Sequence, residues 1–357
     1  MPAKNLSAAI VSAAEGIRNK EIERKAASEF LQSISFESAA KILPGIALEG
    51  ALFLQVPKEN FSGKILGVDG GMLKEQYHGV DLILLRAVGV LFEYSAGKLA
   101  KHAYFPSENP VPEPTTIVNA ESEMDFLLAA NILRPKKEFE TALAAAREFL
   151  PEILVMHGSI VPHPANRAGE SSPLRREYLE MLEAYKALYS FCLEKGILLC
   201  GVVEDSRDNG FYQAVSANSP KAPKTNCRDS VILFDALATG ERTCALKHSG
   251  HSQLENGLGR LARQVSSFYL KPAEFDRPVK VDFLSESSDS RTAEKVARAI
   301  YNTSRFNRSY GIPTVTIEAD ARAKLKEEDI ELIFQQISDR AGATPLSLAL
   351  RRKNRPF

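Results

Sequence analysis

The sequence predicts an α/β protein whose mixed sheet is flanked by helices. Short apolar runs typical of buried strands alternate with longer segments in which apolar residues recur at helical spacing. The order strand, helix, strand over residues 153–203 favours parallel pairing within a layered α/β domain. Several of these runs end on a polar or charged residue, so chemistry-bearing side chains are expected at strand ends.

The first core strand is the apolar run Ile65 to Val68, which ends on Asp69 and is followed by Gly70 and Gly71. Glycine permits a sharp turn and a close backbone approach. We therefore expect the chain to turn here and Asp69 to project into a cleft. A purely structural turn cap is the alternative role for this aspartate.

The second apolar run, Ile153 to Met156, repeats this pattern and ends on His157, with Gly158 and Ser159 after it. A third run, residues 197–203, ends in charged residues and is preceded by a predicted helix over 173–195 that closes at a glycine. Proline suits the first turn of a helix, so the helical pattern over 122–150 is expected to break at Pro135 and start again there.

The whole chain is predicted as an N-terminal helical extension (1–60), one elaborated core domain (61–330) and a C-terminal helix with a basic tail (331–357). Two or three helices are expected over residues 1–45. The remaining predicted elements are strands over 80–92, 97–104, 265–270 and 277–284, helices over 228–237 and 290–301, a helical segment from 327, and the basic run 351–355.

Composition excludes several classes of protein. Of 357 residues, 44% are hydrophobic and 25% charged, which is typical of a globular protein. Lys plus Arg equals Asp plus Glu at 45 each, so net charge neither indicates nor excludes a nucleic-acid partner. The four cysteines lack the close spacing of a zinc or disulfide framework, and no run is long enough to span a membrane. A cytoplasmic protein with no membrane partner is expected.

Acidic residues recur at strand ends and on helices, and they suggest a metal site. Clustered carboxylates repel one another unless cations lie among them, and Mg²⁺ and Mn²⁺ prefer oxygen ligands. Two such ions about 4 Å apart can activate water and stabilise the leaving oxygen of a phosphodiester. The candidates are Asp69, Glu138 or Glu140, His157, Glu204, Asp205, Glu318 and Asp320, with Lys136, Lys137, Arg207, Arg305 and Arg308 as candidate phosphate-binding cations.

The order of these motifs resembles the NurA family of DNA-end-processing nucleases, which have an RNase H-like core. The resemblance runs from about Lys64 to Leu325. It is carried by Leu66-Gly-Val-Asp-Gly-Gly71, by Arg134-x-x-x-Glu138, by the strand pair Ser267–Leu270 and Arg277–Phe283, and by Tyr310-Gly-Ile-Pro313 with Glu318.

This resemblance implies a metal-dependent deoxyribonuclease that works in 5′-3′ end resection during DNA repair. It implies Mn²⁺ or Mg²⁺, two ions per site, a homodimer, and a HerA-type hexameric ATPase as partner. By residue, it implies catalytic roles for Asp69, Glu138, His157, Asp205 and Glu318, and metal ligation by Asp69, Glu138, Asp205, Glu318 and Asp320. Substrate contacts are implied for Gly70, Gly71, Ser159, Arg207 and Tyr310.

The sequence departs from the family pattern at three places, one of which is Glu204-Asp205, where many members have a lysine after the third core strand. Many members have a second aspartate where His157 stands, and the first and fourth strands of an RNase H-like sheet are neighbours. We therefore expect His157 beside Asp69, either as a ligand or as a hydrogen-bonding residue while Asp205 supplies the carboxylate. The last ligand is often histidine in the family, and either Glu318 or Asp320 could take its place.

Two other functions remain open from the sequence. A catalytically weak or inactive DNA-end clamp of the same fold is suggested by the changes at His157 and Glu318. A sugar kinase with an actin-like fold is suggested by Gly67-Val-Asp-Gly-Gly71, because such proteins use a strand, an acidic residue and a glycine turn to approach phosphate.

Overall fold

The structure is a computed structural model that describes residues 2–35, 38–78, 80–118, 122–248, 257–286, 290–342 and 350. It has the mixed α/β fold with helical N- and C-terminal parts that the sequence predicts. The predicted basic run 351–355 lies outside the described residues. The chain forms two compact units: unit 1 comprises 1–59, 202–249 and 263–313, and unit 2 comprises 60–201, 250–262 and 314–357. The division at residues 60 and 330 stays a proposal.

Unit 1 combines helices with a small antiparallel sheet, in the strand order β1-β8-β10-β11, with β9 paired to β10. Its core packs Leu31, Leu43 and Leu52 against Tyr212 and Tyr269. Its elements are α1 (Pro2–Ser33), α2 (Ala39–Ile42), β1 (Phe53–Gln55), α5 (Gly210–Ala217), α6 (Asp229–Ala236), β8 (Glu241–Thr243), β9 (Leu246–Lys247), β10 (Val265–Leu270), β11 (Val279–Leu284) and α7 (Ser290–Ser304).

Unit 2 is built around a long antiparallel hairpin of β2 and β3, in the strand order β7-β6-β2-β3-β4, with β5 paired to β3. The strands are β2 (Gly63–Gln76), β3 (Val80–Ser95), β4 (Lys98–Phe105), β5 (Glu113–Val118), β6 (Ile153–His157) and β7 (Leu198–Val203), which starts in this unit. The helices are α3 (Glu123–Phe149), α4 (Arg175–Lys195), α8 (Thr314–Ala323) and α9 (Glu327–Ala341).

Strands β2 and β6 lie side by side in parallel, with Ile65 opposite Ile153 and Val68 opposite Met156. The strand that ends its apolar run on Asp69 and the strand that ends on His157 are therefore neighbours, as expected. Residues at the same level on two parallel neighbours share one edge, so Asp69 and His157, each the next residue along, come to the same place. Gly158 has a φ of +119°, which glycine tolerates and which lets the chain turn there.

The expected glycine turn after Asp69 is wrong. Strand β2 continues through Gly70 and Gly71 to Gln76, and both glycines pair with β3. A Cβ on Gly71 would lie 2.0 Å from the carbonyl oxygen of Ala323, and one on Gly70 would lie 2.6 Å from Cγ of Glu138. The glycines therefore serve close packing of α8 and α3 on the strand, and neither forms a turn.

The expected helix break at Pro135 is also wrong, because α3 runs unbroken from Glu123 to Phe149. Proline removes one backbone hydrogen bond from a helix interior. Buried residues on both sides of it, including Ala130 and Phe139, hold the two halves in one helix. Tertiary packing here outweighs the local preference.

Several elements went unpredicted, namely β1, β5, β8, β9, α5 and α8. Strand β5 begins in a proline-rich stretch and forms only by pairing with β3. At the N-terminus of helix α5, the backbone N–H groups of Phe211 and Tyr212 donate hydrogen bonds to the Asp229 side chain, both at 2.9 Å. Asp229 lies 17 and 18 residues further along the chain. Neither partner can be read from local sequence.

The other predicted elements match closely. Strand β10 has the predicted bounds, and α4 ends at Gly196 in the left-handed conformation with a φ of +69°. Helices α1 and α2 fill the predicted N-terminal region. The four cysteines form no disulfide. Over the described ranges, none of the helices combines the length and hydropathy that crossing a membrane requires.

Candidate metal centre

Asp69, His157 and Asp320 form a compact group in unit 2. One ligand atom from each of them lies within 4.8 Å of the others. Asp69 is buried, His157 is partly buried and Asp320 is exposed, so the group opens to solvent on one side. Among the described residues, this is the group of three His, Cys, Asp or Glu side chains whose ligand atoms lie close enough together to hold a metal ion.

Each residue of the group comes from a different element. Asp69 lies in the middle of β2, and its side chain is only 3% exposed. His157 ends the neighbouring strand β6, and its Nδ1 lies 3.0 Å from Oδ2 of Asp69. Helix α8 packs against β2 at Gly67, where an added Cβ would lie 2.8 Å from the backbone of Val315, and at Gly71. This close packing carries Asp320 to the strand.

Asp320 and Glu318 point in different directions although they are two residues apart on α8. Two residues along an α-helix correspond to a rotation of about 200°. Asp320 faces Asp69, whereas Oε1 of Glu318 accepts hydrogen bonds from Tyr104 Oη at 3.0 Å and Arg322 Nε at 2.7 Å. Partial burial raises the pKa of Glu318, but those hydrogen bonds outweigh it and hold the pKa below its usual value.

Glu138 lies on the other side of Asp69, held by an arginine of its own helix. Nε of Arg134 donates to Oε1 of Glu138 at 2.7 Å, and its Nη2 lies 3.6 Å from Oδ1 of Asp69. The pKa of Arg134 is raised, chiefly by Glu138 and further by Asp69 and Asp320. The guanidinium is therefore the positive charge among three carboxylates.

Burial raises the pKa of Glu138 to about 7, Asp69 acts in the same direction, and Arg134 and His157 oppose the rise. A carboxylate with such a pKa needs a nearby cation to stay ionised at neutral pH. Buried acids with shifted pKa values are frequent at functional sites. The raised pKa of Glu138 therefore supports a functional site at the position of the group around Asp69.

The donor set fits a divalent ion of intermediate hardness. Two carboxylates and one imidazole suit Mn²⁺, which accepts both oxygen and nitrogen ligands. The two oxygens of Asp69 have different neighbours: Oδ2 lies 3.0 Å from Nδ1 of His157, whereas Oδ1 accepts from the backbone N–H of Gly70 at 2.7 Å and lies 3.6 Å from Nη2 of Arg134. Asp69 thus belongs both to the group of three candidate ligands and to the cluster of carboxylates around Arg134.

Three predicted site residues lie in unit 1. Asp205 is exposed, and its Oδ1 lies 3.9 Å from Nη1 of Arg277. Arg207 is exposed as well. Tyr310 donates from Oη to Oε1 of Glu204 at 2.8 Å. The roles suggested for Asp205, Arg207 and Tyr310 stay predictions.

Three further predicted residues, suggested as substrate contacts, lie in unit 2. Gly70 and Gly71 pack closely against Glu138 and Ala323, which leaves no space for a side chain at either position. Oγ of Ser159 accepts from the backbone N–H of Val161 at 2.9 Å, which gives this serine a role in the turn after β6. Their substrate contacts stay predictions.

The family model of the NurA domain matches residues 63–325 of the chain. The chain belongs to the NurA family. The match spans the whole of the group around Asp69 and the Arg134–Glu138 pair. Among curated proteins, no sequence matches this chain.

Solved structures of NurA proteins have the same fold. The NurA nuclease from Sulfolobus solfataricus is 14% identical, with a TM-score of 0.61 over 94% of this chain and 96% of that one. Another NurA structure is 10% identical, with a TM-score of 0.56 over 92% and 97%. A NurA bound to dAMP and manganese is 9% identical, with a TM-score of 0.51 over 91% and 94%. The predicted NurA membership is confirmed, and the chain has a nuclease fold.

Sequence reasoning gave Arg134 no role beyond a motif position. Its distance of four residues from Glu138 was a usable signal, because side chains so spaced meet on one helix face. The second half of its interaction, with Asp69, depends on how α3 packs on β2 and has no signature in the sequence.

Proposed function

We propose that the protein is a divalent-metal-dependent deoxyribonuclease that hydrolyses DNA phosphodiester bonds from an end. The observation that carries this proposal is the convergence of Asp69, His157 and Asp320 within 4.8 Å. Membership of the NurA family and the nuclease fold support the same reaction class.

The chain's own residues would hold the reacting groups in place. Asp69 and Asp320 would supply oxygen ligands, and His157 would supply a nitrogen ligand or fix the orientation of Asp69 through its 3.0 Å contact. Arg134 would keep the Glu138 carboxylate beside Asp69. A bound divalent ion would polarise the phosphate and lower the pKa of the attacking water.

The finer parts of the proposal come from the family resemblance. We infer Mn²⁺ or Mg²⁺ as cofactor, with two ions during the reaction, and a NurA structure that contains dAMP and manganese supports that ion and a nucleotide substrate. We also infer 5′-3′ end resection in DNA repair, a homodimer, a HerA-type hexameric ATPase as partner, and a cytoplasmic location.

A non-catalytic DNA-end clamp is the second candidate for this fold, because His157 stands where many family members have aspartate. Asp320 weakens that alternative by supplying a second carboxylate to the group. The sugar-kinase alternative has no support, since Gly70 and Gly71 lie within a strand and pack against Glu138 and Ala323. A phosphate-binding turn is therefore absent at this motif.

The test is cleavage of labelled single- and double-stranded DNA by the full chain with Mn²⁺, Mg²⁺ or EDTA. We expect cleavage with Mn²⁺ and a loss of at least about 100-fold in the Asp69→Asn variant, as for loss of a central ligand. The matched control is Glu75→Gln on the same strand, which should stay within about twofold of the original rate. DNA binding without cleavage at any metal concentration would support the clamp instead.

A further inference from the structure

Asp69 is shared by two places where a cation can bind, and they differ in what fills them. On the His157 side, Oδ2 of Asp69 lies 3.0 Å from Nδ1 of His157, and Asp320 completes the set of candidate ligands. On the Glu138 side, Oδ1 of Asp69 accepts a hydrogen bond from the backbone N–H of Gly70 at 2.7 Å and lies 3.6 Å from Nη2 of Arg134, whose Nε donates to Glu138 at 2.7 Å. A cation is therefore already present on the second side, and it is part of the chain.

We propose that Arg134 is a tethered counter-cation that competes with a second divalent ion for Glu138 and Asp69. This inference rests on the proposed function, because it concerns the same site. It makes the two positions unequal: the His157 side takes an ion readily, and the Glu138 side takes one only when Arg134 moves away. Arg134 is thus a positioning residue that sets the order in which cations enter.

The physical reason is the balance of charge on the Glu138 side. Glu138 is buried and Asp69 is 3% exposed, so two such carboxylates need a nearby positive charge. A guanidinium provides that charge with directional N–H donors and does not lose its proton. The pair holds the side chains in place in the metal-free protein, and the same pair must break before an ion can bind both carboxylates.

Arg134 is also able to leave. Its side chain is 44% exposed, whereas that of Glu138 is 11% exposed. A long side chain with one end near solvent can swing outward at modest cost. A displaced guanidinium would remain close to the site, where it could bind a phosphate oxygen in bidentate fashion.

The experiment measures Mn²⁺ binding by the full-length, metal-free protein without DNA, through the electron paramagnetic resonance signal of free Mn²⁺. The original protein should bind one ion per chain tightly and a second at least about tenfold more weakly. In Arg134→Gln the second ion should bind more tightly than it does in the original protein, by about tenfold or more. In Glu138→Gln the second ion should be lost and the first retained.

Two controls separate this competition from a structural effect. Arg147→Gln makes the same substitution on the same helix, but Arg147 is exposed and its guanidinium lies over the Phe191 ring, 5.6 Å from the ring centre, so both binding constants should stay within about twofold. Arg134→Lys keeps the charge and loses the fork of donors, so its second constant should be intermediate. If Arg134→Gln does not fold, Arg134→Lys and Glu138→Gln still give opposite expected shifts.

The proposal is overturned if the original protein binds two ions equally, binds none, or if Arg134→Gln leaves the second constant unchanged. It is also overturned if the Arg134 and Glu138 variants change binding of the second ion in the same direction, as a purely structural pair would. Loss of DNA cleavage with these binding results intact would instead contradict the proposed nuclease function.

Discussion

At the scale of single residues, the site depends on which side of a helix or strand each side chain faces. Asp320 and Glu318 are chemically similar and two positions apart, yet only Asp320 joins Asp69 and His157. Glu318 is held by Tyr104 and Arg322. The sequence left both residues as candidates, and the rotation of α8 separates them.

We therefore expect Asp320→Asn and Glu318→Gln to differ in their effects on DNA cleavage. Asp320→Asn removes a candidate ligand and should lower the cleavage rate by about 10- to 100-fold. Glu318→Gln should change it by less than about threefold, because the Glu318 side chain is hydrogen-bonded by Tyr104 and Arg322 and is not part of the group. Initial rates in Mn²⁺ over a concentration series would check this, and equal losses in both variants would contradict the assignment.

Asp229 shows how a single buried acid can govern stability. It accepts hydrogen bonds from two backbone N–H groups of α5. Burial raises the pKa of Asp229 to about 7, although those hydrogen bonds oppose the rise. Since the raised pKa means that the folded state prefers the protonated acid, the stability it contributes is present at low pH and is lost as the pH rises toward 7.

Asp229→Asn should remove this pH dependence. Relative to that variant, the original protein should lose roughly 4 kcal/mol of unfolding free energy between pH 4 and pH 8, at about 1.4 kcal/mol per pKa unit. Urea unfolding of both proteins at several pH values would measure it. A constant difference across that range would show that Asp229 stays ionised in the folded state.

At the scale of elements, close packing of α8 and α3 on β2 brings the site together. Gly67, Gly70 and Gly71 leave no room for a side chain between the strand and its neighbours. Strand β2 therefore continues where the sequence suggested a turn, and α3 and α8 pack against it at these glycines. The distance between α8 and β2 then sets the position of Asp320 relative to Asp69.

Gly71→Ala should disturb both stability and the site. The added Cβ would lie 2.0 Å from the carbonyl oxygen of Ala323, so α8 must shift away from β2. We expect a loss of about 2–3 kcal/mol in unfolding free energy and weaker Mn²⁺ binding through the displaced Asp320. Chemical denaturation and metal titration of the purified variant would test this.

The matched control is Gly16→Ala, which makes the same change within helix α1. An added Cβ there meets nothing within 4 Å. Alanine is the better helix former, so this variant should gain about 0.5–1 kcal/mol. A similar loss in both variants would mean that the effect of Gly71→Ala does not come from its packing against α8.

At the scale of the whole molecule, charge gives little help in holding DNA. The formal net charge is zero, with 45 basic and 45 acidic residues, so attraction to phosphate must be local. Under the proposed function, a scissile phosphate would lie beside three carboxylates, those of Asp69, Asp320 and Glu138, with Arg134 and His157 as the nearby basic groups. Without a metal ion, this site should repel DNA.

We therefore expect DNA affinity to depend on metal even without cleavage. Replacing EDTA with Ca²⁺ should tighten binding of a labelled oligonucleotide by about tenfold or more at low salt, because the ion neutralises the carboxylates. The double variant Asp69→Asn, Asp320→Asn should bind more tightly than the original protein in EDTA and respond little to Ca²⁺. Fluorescence anisotropy would measure both, and equal affinity with and without Ca²⁺ would contradict the location of the DNA phosphate.

The sequence by itself determined most of the elements and the chemical types at the site. Continuous apolar runs located β3 and β6, because strands buried on both faces are apolar throughout, and apolar residues at helical spacing located α4. The sequence showed which residues end the two apolar runs, and the family resemblance, which makes those two strands neighbours, led us to expect His157 beside Asp69, in agreement with the parallel pairing of β2 with β6. These features are local or follow from one simple pairing rule.

Only the tertiary structure decided which carboxylates meet. The choice of Asp320 over Glu318, the use of Gly70 and Gly71 as packing surfaces, and the insertion of Arg134 between Asp69 and Glu138 all depend on how α3 and α8 dock on β2. Docking depth and helix rotation are set by many side chains that are distant in sequence. A local sequence pattern indicates the periodicity of one helix or strand, but it does not indicate how far that element lies from another.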